Sequence, residues 1–443
     1  MTMAGRQVGA VAAAATVAIA AFASPARSRA QAPPPATVVI EKARIHTGEG
    51  PMIPSGSIVW RGDKIAAVGA AADVKAPEGA RRIDGSGLWI TAGLFDAESR
   101  VGLVEVSLEE STVETGLDAR YDAVRAAFAA VDGFNPASVV IPVTRMEGIT
   151  TIALAPDRGL VAGRGAVLDL VGSGTDEMIV RTPTAVYLAW GDAGRSVAFG
   201  ARGGLVLRVR ELLDDVRQYA RRRQDFERNQ MRKVAASRLD LEALVPVVEG
   251  KLPLVVAVQS AADIRAVLRL VRDEGVKIIL SGCAEGWMVA GDIAKAGVPV
   301  ILHTMTNLPE SFESLASRLE NARLLHAAGV KVAISPRLTE PHNSRVLRFE
   351  AGNAAANGLP WEEALRAITR HPAEIFGVSD RMGTLSVGKT ANVVVWSGDP
   401  FEPATRARHV FIRGQEIPMR SRQTELRDKY RELSGAATTP PRR

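Results

Sequence analysis

The side chains able to do chemistry in this 443-residue chain are its six histidines, its one cysteine and the carboxylates that follow apolar, strand-like runs. A zinc site asks for histidine, cysteine or carboxylate at close quarters, commonly as a pair two apart on a strand or four apart on a helix. No two of the histidines, at 46, 303, 326, 342, 371 and 409, stand at such a spacing. His303 follows the apolar run 298–302, and His342 falls in the segment after the run 330–334. His46 and His409 lie in the two end regions, His326 reads as a helix-face residue, and His371 belongs to a helix-ending His371-Pro372. Glu98, Asp157, Cys283 and Glu285 also come directly after strand-like runs, where parallel strands would carry them to one mouth. These positions allow a rearranged metal site built from Glu98, Cys283, Glu285 and His303. For Cys283 the plainer reading is a small packed thiol.

One motif matches by letter and fails by context. Gly383 to Thr390 fits the phosphate-loop pattern, whose chemistry needs a strand before the loop and a helix after it to hold the phosphate. Here Ala391-Asn392-Val393-Val394-Val395-Trp396 follows, which is a strand, so the segment reads as a hairpin turn.

The elements that must position these residues come in two patterns. Near the start, β-like runs at 38–40, 57–60 and 65–68 flank the tight turn Arg61-Gly62-Asp63-Lys64 and predict a small antiparallel sheet. From Leu88 apolar strands alternate with helices: strands at 88–95, 148–155, 184–189, 252–258, 276–280, 298–302 and 330–334, with helices at 261–274, 285–296 and 312–328 between the later ones. Parallel neighbours need a crossover, so this alternation predicts an α/β fold with a (β/α)8 TIM-like barrel. β-like runs return at 392–396 and 410–412, predicting a small β-sandwich built from both chain ends. The expected layout is 33–87 and 380–420 for that composite domain, 88–379 for the barrel and 421–443 for a basic tail. Ligand choice would fall to the loops 102–138, 157–182 and 307–314.

Residues 1–32 read as a secretory signal peptide: a basic start with Arg6, a 16-residue Ala-rich apolar run, and the small-x-small triplet Ala30-Gln31-Ala32. That run falls short of the roughly 20 residues needed to span a bilayer. The mature chain is therefore expected to be exported, periplasmic in a Gram-negative cell, and free of the membrane after cleavage. A single cysteine excludes an internal disulfide. The formal charge of +6 sits in the two ends: residues 1–32 contribute +3 and the tail from Arg420 contributes +4, leaving −1 between. The arginine-rich run 217–238 reads as a helix with a solvated charged face. With aromatics at 5%, this composition excludes a nucleic-acid partner.

Two segments carry a family resemblance. The first runs from Gly56 to Gly69 and on through Ile83-Asp84-Gly85-Ser86-Gly87 to Thr91-Ala92-Gly93-Leu94-Phe95-Asp96. The second runs from Ile368-Thr369-Arg370-His371-Pro372-Ala373 through Arg381-Met382-Gly383-Thr384-Leu385 and Gly388-Lys389-Thr390-Ala391-Asn392 to Trp396-Ser397-Gly398-Asp399-Pro400. Both resemble the amidohydrolase superfamily, in particular its exported, imidazolonepropionase-like members. The resemblance implies a (β/α)8 barrel with a composite β-sandwich. It also implies hydrolysis of C–N bonds in amides, ureas, cyclic amides and some dipeptides, by a hydroxide held on one or two divalent metals.

The ligand set the resemblance implies is not matched. Where the family has His-x-His on its first strand, this chain has Glu98 and Arg100, and a cationic Arg cannot ligate a cation. The next family histidine falls on Ala257 or Gln259, another near Leu280-Ser281-Gly282-Cys283, and the carboxylate of the last strand within Ile334-Ser335-Pro336-Arg337. The barrel-mouth candidates are therefore Glu98, Arg100, Gln259, Cys283, Glu285, His303, Arg337 and His342, with an Arg337–Glu98 ion pair expected in place of a metal. No cofactor is expected, and a zinc-like divalent metal enters only with the rearranged set. The implied function is an exported amidohydrolase-superfamily protein that is catalytically impaired, or that binds a small molecule or pairs with an active relative or a second copy. The alternative is an active C–N hydrolase with a rearranged metal site.

Overall fold

Period-two apolar runs at both ends of the chain and continuous apolar runs in its middle give two eight-stranded sheets of different kind. A computed structural model describes residues 36–116, 122–198, 200–306, 308–337 and 340–436. The leader-like residues 1–32 and the last seven residues of the basic tail lie outside the described residues.

The first sheet joins the two chain ends. Thr37–His46 pairs antiparallel with Ile53–Arg61, which turns at Gly62 into Lys64–Ala70. Trp89–Ala92 lies parallel to the first of these on one side and antiparallel to Val393–Trp396 on the other, and Ala407–Ile412 extends the sheet beyond. Gly414 shows how closely the ends meet: at φ +74°, a Cβ there would stand 1.9 Å from the carbonyl oxygen of Gly62, a contact only glycine tolerates. The segment with the phosphate-loop spelling is a turn leading into Val393–Trp396, and Lys389 donates from Nζ to Thr384 Oγ1 and Glu49.

The second sheet is the barrel. Its strands run Leu94–Ser99, Ile149–Leu154, Val161–Asp169, Ile179–Ala189, Leu254–Val258, Ile278–Gly282, Val300–Leu302 and Val332–Ile334, each paired with the next. Ser335 closes the seam between last and first, its hydroxyl lying 3.1 Å from the Glu98 carbonyl and 3.2 Å from the Glu98 amide. Side chains such as Phe95, Tyr187, Val255, Ile279 and Ile301 fill the barrel, while a larger apolar layer packs the outer strand faces against the helices.

Several details differ from the sequence reading: the helix expected over 312–328 is confined to Asn321–Ala327, and His371-Pro372 opens the short helix Arg370–Ile375 rather than ending one. The run 88–95 is not one strand: it breaks at Gly93, with Trp89–Ala92 in the end-built sheet and Leu94–Ser99 opening the barrel. Gly93 sits so close to Thr150 that a Cβ would come within 2.1 Å of its Oγ1. The expected loop 157–182 holds a barrel strand, Val161–Asp169, antiparallel to both neighbours. Two of these barrel connections are therefore hairpin-like rather than helical crossovers. Gly163 and Gly165 hid this strand in the sequence, and they let it approach the chain at Phe128 and Leu154.

The arginine-rich run behaves as a charged face. Arg217 pairs with Glu274, Arg222 with Asp225, and Arg232 with Asp214 and Asp215. Among the described residues no helix is long and apolar enough to cross a membrane.

Candidate active site at the barrel mouth

The strand ends enclose a cavity of about 610 Å3, lined by Glu98, Arg100, Asp157, Tyr187, Gln259, Ser281, His303 and Arg337 among others, with an apolar wall that includes Ala162, Leu188 and Val255. Glu98 reaches it because the pairing of the first strand slips register between Asp96 and Ser99, a bulge that re-aims the strand's end. Its Oε2 accepts from Ser281 Oγ at 2.7 Å and faces His303 Nε2 at 3.5 Å. Burial pushes the Glu98 carboxyl up to about 7, against the Ser281 hydrogen bond and the charge of Arg100.

His303 donates from Nδ1 to the Ser335 carbonyl at 2.9 Å, which fixes the tautomer and turns Nε2 toward Glu98. Burial lowers its pKa, so the ring tends to the neutral form. Asp96, one turn of the pleat deeper, is fully buried and pushed up to about 6 by that burial, and it accepts from Ser335 and, at 2.6 Å, from Ser344. It holds the barrel seam and lies outside the cavity lining.

Arg100 turns its guanidinium to Asp157, whose other oxygen accepts from Thr115 at 2.6 Å. Arg337 lines the cavity, but its partner is Glu310, so the expected ion pair with Glu98 does not form: a partly exposed rim arginine finds a rim carboxylate, while Glu98 is held below by Ser281. Gln259 also lines the cavity and accepts the Ala284 amide at 3.3 Å.

The remaining candidates stand elsewhere. Cys283 is fully buried in the layer between strands and helices, with its thiol pKa raised by that burial. Glu285 accepts the Ala261 amide at the start of the helix Ala261–Glu274 and the Ala316 amide of the next loop, so both oxygens serve backbone. His342 is exposed, in the one-turn helix Pro341–Val346. The rearranged set Glu98, Cys283, Glu285 and His303 is thus not one site; only Glu98 and His303 meet.

Among the described residues no group of three or more His, Cys, Asp or Glu side chains is placed to hold a metal ion. At the strand ends stand Ala257, which has no donor, Ser281, whose hydroxyl serves Glu98, and Ser335, whose hydroxyl serves the seam. These residues do not fit the one- or two-metal centre that the resemblance implies.

Tyr187 was not singled out from the sequence. Its ring lies inside the barrel and its hydroxyl is buried with no partner. The signal was present, as one aromatic between Ala185 and Ala189 at the two-residue period of an inward strand face.

A barrel of eight strands with a mouth cavity, beside a sheet drawn from both chain ends, is the architecture of a TIM-like barrel protein carrying an extra β domain. The model of the amidohydrolase family matches residues 283–418. The chain is 23% identical over 394 residues to amidohydrolase tasK of Hapsidospora irregularis, covering 80% of this chain and 40% of that protein. It is 32% identical over 114 residues to the imidazolonepropionase of Rhizobium meliloti, a quarter (25%) of this chain and 26% of that one. This chain therefore spans well under two thirds of the length of either relative. An amidohydrolase of Thermotoga maritima shares the fold at a TM-score of 0.78 with 23% identity, covering 86% of this chain and all (100%) of its own. An adenosine deaminase of Xanthomonas campestris with bound zinc shares it at 0.52 with 17% identity, covering 92% and 100%. Similarity to the amidohydrolase family model thus covers residues 283–418, and the fold shared with these solved structures covers most of the chain.

Proposed function

We propose that this chain is an exported member of the superfamily whose barrel mouth binds a small molecule without the metal-assisted C–N hydrolysis that the resemblance implies. The observation that carries the reading is the guanidinium of Arg100, held in the mouth by Asp157 at the end of the first barrel strand. A fixed positive charge there opposes a divalent cation. The Glu98–His303 pair also falls one short of the three protein ligands that a catalytic zinc site uses. Export rests on the leader-like pattern of residues 1–32. The partners in this reading are the small molecule and, beyond it, an active relative or a second copy of the chain.

Hydrolysis of N-acyl amino acids and dipeptides, assayed with and without added zinc or manganese, tests the reading. The expected result is no turnover that metal restores. Turnover that appears with added metal and is lost in both Glu98→Gln and His303→Asn would overturn it in favour of an active C–N hydrolase with a rearranged site.

A further inference from the structure

We infer that the segment Leu308–Leu315 is a strap across the barrel mouth, clasped at Glu310 and Glu313, whose release sets how fast a small molecule reaches His303. The two clasps stand on opposite sides of the ring of strands. Arg337, which pairs with Glu310, follows the eighth strand, Val332–Ile334. Asp192, whose amide donates to Glu313 Oε1 at 2.7 Å, follows the fourth, Ile179–Ala189. Arg202 donates from Nη2 to the same oxygen at 3.3 Å. Gly191 makes room for this carboxylate: it stands at φ +65°, and a Cβ there would lie 2.5 Å from Glu313 Oε1. Behind the strap is a chamber of about 210 Å3, lined by Leu308, Ser311 and Ser314 on one side and by Gln259, His303 and Arg337 on the other. The last three also line the mouth cavity.

The segment is fixed just outside both of its ends. Glu350 Oε2 accepts the Met305 amide at 2.6 Å, and Glu285 Oε1 accepts the Ala316 amide at 3.1 Å. Between those points, among the described residues, Glu310 and Glu313 carry the hydrogen bonds and ion pairs that tie the strap to the rest of the chain. Neither clasp is strong. Glu310 and Arg337 are both half exposed, where an ion pair contributes little. Arg202 is shared, since its Nε also donates to the two oxygens of Asp263 at 2.9 and 3.0 Å. Burial, helped by the charges of Asp192 and Asp263, raises the Glu313 pKa, so its seat favours the charged form less than water does. Lifting the strap also takes little apolar surface out of a core, because Phe312, Leu315 and Leu308 are already 91%, 62% and 54% exposed.

Carbethoxylation of His303 by diethyl pyrocarbonate, followed by peptide mass spectrometry on the full chain at neutral pH, tests this. Glu313→Gln keeps the shape of the side chain and an acceptor for the Asp192 amide while removing the charge that Arg202 meets. It is expected to raise the rate at His303 about threefold, and Glu310→Gln together with Glu313→Gln about tenfold, the scale of one and of two weak ion pairs. His409, in the end-built sheet, is the internal control, and its rate is expected to stay constant. An unchanged rate at His303 in both variants, or a rise shared equally by His409, would overturn the inference. Chelator-treated protein is used throughout, so either outcome bears on access to the mouth and leaves the metal-free reading to its own test.

Discussion

Arg348→Met is expected to destabilise the protein by about 3–5 kcal/mol, read as a fall in the urea midpoint at unchanged slope. Arg348 lies on the helix Leu347–Ala356, is 1% exposed, and gives its guanidinium to the other end of the molecule. It donates to the carbonyls of Pro400 at 2.9 Å, Glu402 at 3.0 Å and Thr405 at 3.1 Å, all in the loop between Val393–Trp396 and Ala407–Ile412 of the end-built sheet. It also pairs with Glu147 at 3.3 Å. Methionine fills much of the same space but leaves three carbonyls and one carboxylate without their donor, and that desolvation is the origin of the loss. Arg348→Lys is expected to recover little of it, because one ammonium cannot reproduce the planar fork. A loss below about 1 kcal/mol in Arg348→Met would mean that the loop 397–406 is held by its own backbone turns.

Glu98→Gln is expected to change the pH dependence of stability. The folded-state pKa of Glu98 is raised to about 7 from an ordinary value of 4.5, so the folded protein binds the proton more tightly than the unfolded chain does. Its contribution is fully present below about pH 4.5, declines as pH rises through the interval, and levels off above about 7. At 1.36 kcal/mol per pKa unit, wild type should lose about 3 kcal/mol across that window relative to Glu98→Gln. Glutamine is uncharged at every pH and keeps an acceptor for Ser281 Oγ, as the protonated acid does. Asp96, raised to about 6, adds a decline of the same sign, but it is present in both proteins and cancels in the difference. Parallel slopes for the two proteins between pH 4.5 and 8 would show that Glu98 stays ionised in the folded state.

Much of the architecture is legible in the residues because it is written in local patterns. The hairpin at Arg61–Lys64 follows from its turn residues, and the barrel strands from apolar runs bounded by helices. What escapes is set by contacts between distant segments. The strand Val161–Asp169 is invisible because Gly163 and Gly165 break its apolar pattern, yet those glycines are what let it pack against Phe128 and Leu154. The split at Gly93 depends on where Thr150 lies.

The mouth divides in the same way. Glu98, Arg100, Gln259, His303 and Arg337 follow strands, and each of them lines the cavity. Cys283, Glu285 and His342 follow strands too. Their direction is decided by neighbours the sequence does not place side by side: the Ala261 and Ala316 amides for Glu285, and the helix layer for Cys283. The pairing of Arg337 with Glu310 instead of Glu98 has the same origin, since charge alone does not say which carboxylate shares its depth.

Metal analysis decides whether this mouth holds an amidohydrolase-type metal centre. Inductively coupled plasma mass spectrometry would be run on protein purified without chelator or metal-affinity tag, before and after incubation with zinc and manganese. Well under one equivalent of any divalent metal per chain is expected in both samples, with no difference in content between wild type and Glu98→Gln. Near-stoichiometric metal that is lost in Glu98→Gln or His303→Asn would contradict it and would make those two residues metal ligands.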